Sequence, residues 1–111
     1  MSDPYPEKGA AKPRALVREW KNGDTGATLG LRGKGKFTVK NLRVQYYSCS
    51  PSGLHTKSGK GTWKSLDVAG ATSVVLAFSD GCDTTLYYGE ESGDPVLYNS
   101  AEGADIVMKL T

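Results

Sequence analysis

Trp20-Lys21 leading to Gly26-Ala27-Thr28-Leu29, and Trp63-Lys64 leading to Gly70-Ala71-Thr72, are one phrase written twice. Each opens with a tryptophan, passes a glycine-bearing turn, and enters a stretch that alternates or is wholly apolar. A Gly-rich turn follows each, Gly33-Lys34-Gly35 in one case and Ser79-Asp80-Gly81 in the other. Strand, turn and strand, repeated, is the pattern of an all-β meander.

The neighbouring segments extend it. Leu29 and Leu31 fall on one face of their strand, with Thr28, Gly30 and Arg32 on the other. Phe37 and Val39 then oppose Lys36, Thr38 and Lys40. After Asn41 the apolar positions change from odd to even, at Leu42, Val44 and Tyr46. Side chains on a strand alternate with period two, so this slip needs a bulge or short turn at Asn41. Residues 50–60, rich in Ser, Pro, Gly and Lys, read as a long exposed loop. Val74-Val75-Leu76-Ala77-Phe78 is the one continuous apolar run and is expected to be the most buried strand.

With strands at 84–89, 96–99 and 106–110, the total is about eight, the number and spacing of a sandwich or barrel. Short connections favour an antiparallel up-and-down meander, and closing it into a small barrel, fully or in part, removes exposed edges. Residues 1–13, with Pro4, Pro6, Gly9 and Pro13, read as a flexible leader or tether. Residues 14–111 read as a single β-barrel domain.

No apolar run approaches the ~18 residues of a membrane span, and no signal-peptide pattern opens the chain. Either the protein is cytoplasmic or an export signal has been removed. The net charge of +2 hides an uneven distribution. Residues 1–64 hold 13 Lys/Arg against 4 Asp/Glu, and residues 65–111 hold 1 against 8. The expectation is that the halves neutralise each other across paired strands. The sharper alternative is a basic face of Arg32, Lys34, Lys36, Lys40 and Arg43 aimed at an acidic partner.

Cys49 and Cys82 are the whole cysteine supply, each beside a turn and neither in a zinc-like spacing. A bridge between them would close a loop of about 33 residues, contribute about 3–4 kcal/mol, and imply an oxidising compartment. Two independent thiols are the alternative.

Enzymatic chemistry finds little footing. His55, the single histidine, falls in the predicted loop, where preorganisation is poorest. Asp80/Asp83 and Glu90/Glu91 sit in turns, and solubility and turn geometry account for them. Gly33-Lys34-Gly35-Lys36 lies between two strands, so no helix N-terminus stands behind it to hold a phosphate. The reading is non-enzymatic, with no metal site and no cofactor. Tyr46 and Tyr47 beside Lys36 and Lys40 could serve a nucleic-acid surface, but the acidic half would oppose a polyanion, so nucleic acid is disfavoured.

Trp20, Trp63 and Tyr88, pointing inward, are the candidate ligand-binding residues if the barrel is hollow; a filled core is the default. Lys36, Lys40 and Tyr47 make the candidate outer interaction surface. The adjacent pairs Tyr46-Tyr47 and Tyr87-Tyr88 must put one ring on each face, leaving tyrosines outside for a partner.

The early Trp with Gly-Ala-Thr-Leu-Gly-Leu, then Gly-Lys-Phe-Thr-Val, Gly-Thr-Trp-Lys, Leu-Tyr-Tyr-Gly and Asp-Pro-Val-Leu-Tyr, is similar to small secreted actinobacterial (Streptomyces-type) lipoproteins of unknown function. The likeness spans roughly residues 15–99 and lies in the style of the segments more than in a rigid signature. It implies an extracytoplasmic, surface-tethered β domain with a Cys49–Cys82 disulfide, and it supplies no catalytic residues. Such proteins join the membrane through a lipidated cysteine, and none precedes residue 49 here. The Gly61-Thr62-Trp63 segment also resembles those of lipocalin-like barrels, which bind apolar ligands or inhibit enzymes. The expectation is therefore a non-enzymatic binding domain for a small apolar molecule, or an interaction or inhibitor module facing an envelope protein.

Overall fold

Alternation decides which side of each strand is dry, and the computed structural model carries it around an almost complete barrel. The structure describes residues 7–44, 48–49, 55–100 and 106–111. In chain order the elements are β1 (Glu7–Lys8), a helical turn α1 (Pro13–Leu16), β2 (Glu19–Asn22), β3 (Ala27–Leu31) and a tight 3-10 turn (Gly33–Gly35). Then come β4 (Lys36–Val44), β5 (His55–Val68), β6 (Ala71–Phe78), β7 (Asp83–Glu91), β8 (Asp94–Ser100) and β9 (Ile106–Leu110).

From β3 to β9 each strand pairs antiparallel with the one before it, giving the order β2 to β9. The eight-stranded meander closes on itself except at one incompletely zipped seam between β2 and β9. There Lys21 and Thr111 exchange both backbone hydrogen bonds, at 2.9 and 2.8 Å. Asn22 Nδ2 adds a third bond to the Lys109 carbonyl at 2.8 Å.

Inward positions build one core from Leu16, Trp20, Leu29, Leu31, Phe37, Leu42, Trp63, Val74, Leu76, Phe78, Leu86, Leu97 and Leu110. Phe37 and Phe78 meet edge to face, centroids 5.1 Å apart, the arrangement that ring quadrupoles favour. Two hairpin turns lock the register. Ala69 and Gly70 have φ of 53° and 79°, Ser92 and Gly93 of 53° and 85°, the two successive positive values a tight two-residue hairpin demands. The slip at Asn41 is there too. Register shifts between Val39 and Leu42, Asn41 takes φ 57°, and both Val39 and Leu42 still face inward.

Three expectations need correction. Residues 55–60 are not loop: β5 begins at His55 and its first half pairs with β4. Its glycines serve close approach, since a methyl on Gly61 would sit 1.9 Å from the Ala77 carbonyl oxygen and one on Gly59 would sit 3.1 Å from the Phe78 ring. The apolar run of β6 is not buried throughout, because a single-layered wall has one dry face; Thr72, Val74, Leu76 and Phe78 face in, while Val75 is half-buried and Ala77 exposed.

The third concerns the leader. Its described part, residues 7–13, lies on the barrel. Lys8 pairs with Gly89, Thr72 donates its N–H to the Gly9 carbonyl at 2.9 Å, and Ala11 donates to Thr72 Oγ1 at 2.9 Å. These bonds extend the sheet where β6 ends short of the end of β7, a role that needs no apolar side chain. Leu16 then enters the core.

Cys49 and Cys82 form a disulfide, Cα atoms 5.1 Å apart. Ser48 flanks it by donating its N–H to the Asp83 carbonyl at 3.0 Å and accepting the Asp83 N–H on its hydroxyl at 2.9 Å.

Candidate functional site

The three inward aromatics sit in three different cross-strand rows. Trp20 stands opposite Leu29, Trp63 opposite Leu76, and Tyr88 opposite Leu97. Trp20 is 0% exposed and Trp63 9%, and each indole N–H is satisfied inside the protein. Trp20 Nε1 donates to the Leu16 carbonyl at 3.1 Å, and Trp63 Nε1 to the Arg32 carbonyl at 2.9 Å. Leu29, Val74, Leu76, Leu86, Leu97 and Leu110 are also 0% exposed. No water-sized space adjoins such side chains, so they fill this part of the interior and do not line a chamber. Tyr88 is half-buried under the N-terminal segment, where a methyl on Gly9 would lie 3.2 Å from its ring.

The outer surface is organised by charge. Outward positions on β2 to β5 read Lys21, Thr28, Lys36, Thr38, Lys40, Arg43, Lys60, Thr62 and Lys64. Glu19 is the acidic outward residue of β2 to β4, and β5 adds an exposed Asp67 near its far end. The expected neutralisation across paired strands does not occur here. The next strand, β6, carries no charged residue, so Lys64 faces Val75 and Thr62 faces Ala77. The ion pairs among the described residues lie elsewhere: Lys57 with Asp80 at 2.6 Å, and Lys109 with Glu91 at 3.0 Å. Asp80 also accepts the Cys82 N–H at 3.0 Å. The Lys57 hydrogen bond, helped by that amide, holds the Asp80 carboxyl below its ordinary pKa.

Lys36 and Lys40, both predicted as interaction residues, share this wall with Thr38 between them. Thr38 lies opposite Gly30 on one side and Lys60 on the other. Arg32 supplies the remaining corner. Its guanidinium lies over Gly30, Nη2 3.1 Å from where a Cβ would be, with the Thr38 hydroxyl 3.4 Å from the same point. The Arg32 backbone is fixed by the Trp63 bond from inside and by its N–H donated to the Lys36 carbonyl at 2.8 Å. One hydroxyl thus stands within a frame of four cationic residues, Arg32, Lys36, Lys40 and Lys60. Tyr47, the third predicted residue of this surface, lies outside the described residues.

A loop over residues 50–60 hides Lys60 from this surface, whereas strand parity counted back from Trp63 sets it outward. The same parity sets Leu66 and Val68 outward, 46% and 69% exposed. Leu66 faces Ser73, which faces Tyr87 (42% exposed), which faces Tyr98 with ring centroids 5.8 Å apart. Tyr87 is thus out and Tyr88 in, as adjacency requires. Among the described residues, no three of His, Cys, Asp and Glu come together as a metal-holding group.

Comparison with protein-family models, with curated proteins and with solved structures found no match to this chain.

Proposed function

We propose that this protein is a non-enzymatic binding module of an oxidising, extracytoplasmic compartment, and that it binds through its outer wall. A β-barrel is compatible with a binding domain, and the close packing around Trp20 carries the choice of surface. Trp20 and its aliphatic neighbours leave no space beside them, while Lys36, Lys40 and the cations around them stand in solvent without ion-pair partners among the described residues. The disulfide supports the compartment. The likeness to small actinobacterial lipoproteins supports a lipid tether at the cell surface, which fractionation of native cells checks by recovery from the detergent-soluble envelope.

A fluorescent apolar probe tests the choice of surface. Under the outer-wall reading it shows no saturable binding to the native protein and leaves tryptophan emission unchanged. Saturable one-to-one binding that quenches tryptophan would instead establish the interior as a small-ligand site and overturn this reading.

A further inference from the structure

We infer that the outer wall of β2–β5 carries a phosphate site centred on Thr38, which seats the backbone of a phosphodiester polymer. This rests on the outer-wall reading above and names its ligand class. Lys36 and Lys40 lie two residues either side of Thr38, about 7 Å along the strand. Lys60 and Gly30 are its direct cross-strand neighbours, about 5 Å away. Arg32 fills the space above Gly30 because glycine leaves that space empty. A phosphate over Thr38 would take a hydroxyl hydrogen bond from below, a guanidinium fork from one side and ammonium groups from the others.

Two features choose a polymer backbone over other anions. Lys21, Arg43 and Lys64 continue the positive charge beyond the frame in several directions, so phosphates on either side also meet cations. Threonine and serine hydroxyls alternate with them at Thr28, Thr56, Ser58 and Thr62, the mixture with lysine and arginine that phosphate contacts draw on. An acidic protein is a poorer fit, because protein interfaces centre on aromatic and apolar side chains and are depleted in lysine. Of the large exposed apolar residues, Leu66, Val68 and Tyr87 lie on β5 and β7, beyond the frame, and Val17 stands alone ahead of β2. Outward positions on β2–β4 carry no aromatic ring for bases to stack on, so the backbone is held without reading bases. Glu19, opposite Gly30, and Asp24, in the β2–β3 turn, are the nearby acids. Those of β7 and β8 occupy the other half of the circumference, which removes the opposition inferred from sequence.

The test is fluorescence anisotropy with a mixed-sequence single-stranded oligodeoxynucleotide of about twenty nucleotides, an abasic oligomer of the same length, and poly-glutamate of matched charge. Expected is equal binding of the two phosphodiesters at about 50 mM salt, with a log–log salt slope near −3 for about four neutralised phosphates. Lys36→Glu/Lys40→Glu should weaken binding at least about tenfold and flatten the slope by about 1.4, the share of two phosphates on a single strand. Lys8→Glu/Lys12→Glu, the same charge change off this wall, should have little effect. Gly30→Ala, which displaces the Arg32 guanidinium, should weaken binding about threefold with unchanged thermal stability.

Binding of the base-bearing strand alone, equal binding of poly-glutamate, equal loss in the Lys8/Lys12 variant, or no binding at all would each overturn the inference. If the phosphodiesters fail while the apolar probe also finds no site, the outer-wall reading survives with another partner. Saturable probe binding removes that reading itself.

Discussion

Gly61 stands where β5 and β6 come closest, and a methyl group added there has no room, because the atom it meets, the Ala77 carbonyl oxygen 1.9 Å away, belongs to backbone. Gly61→Ala is therefore expected to cost more than about 2 kcal/mol, read as a lower urea midpoint with unchanged m-value. Ala69 presents the opposite case. It holds φ 53° at the first position of a two-residue hairpin turn, a left-handed conformation that disfavours alanine and suits asparagine. Ala69→Asn should raise stability by about 0.5–1 kcal/mol in the same titration. At this scale the sequence was legible where a residue has one physical use. Gly33-Lys34-Gly35 announced a turn, and Asn41 announced a bulge. Gly59, inside the expected 50–60 loop, misled because glycine marks both a mobile loop and a tight backbone contact, and only the partner strand distinguishes them.

Elements with an apolar face declared themselves through their period, and those held by backbone alone did not. Alternation in β3, β4 and β9 is visible in the chain, whereas β1 and residues 9–12 join the sheet through main-chain bonds that any sequence can make. Thr72 fastens that segment. Its hydroxyl accepts the Ala11 N–H and donates to Asp67 Oδ1 at 2.6 Å. Thr72→Val keeps the shape and removes both bonds, so amide exchange over residues 8–12 should accelerate and stability should fall by about 1–2 kcal/mol. The β6–β7 turn has its own pH dependence. Asp80 has a lowered folded pKa, chiefly through Lys57 and then the Cys82 amide. Its contribution is complete above the unfolded carboxylate's range, about pH 5, and is lost as pH falls through the lowered folded value. In acid titrations Asp80→Asn should be less stable than the parent at neutral pH, and the two should converge at the acid end.

The imbalance between the two halves of the chain could be read from composition, but its disposition in space could not, because that depends on which strand separates them. Uncharged β6 stands between the basic strands and β7, so Lys64 of β5 faces Val75 instead of a carboxylate, while Lys57, on the inward parity of the same strand, is the one that meets Asp80. A wall of cations spaced about 5–13 Å apart repels itself. The Debye length is about 10 Å at 0.1 M salt, so the repulsion is felt in dilute buffer and screened above that concentration. Thermal midpoint should therefore rise with sodium chloride between about 10 mM and 300 mM, whereas a barrel whose halves neutralised each other would lose stability over that range. Lys36→Glu/Lys40→Glu should flatten the rise by converting repulsive pairs into attractive ones. The disulfide sets the background for the measurement. Its sequence separation of 33 corresponds to about 3.7 kcal/mol of loop-closure entropy, so the scans belong under non-reducing conditions, where the frame around Thr38 is the variable. A midpoint that falls with salt in the parent and is unchanged in the double variant would mean that the cations of β2–β5 are already neutralised, leaving no unbalanced charge on this wall to attract an anionic partner.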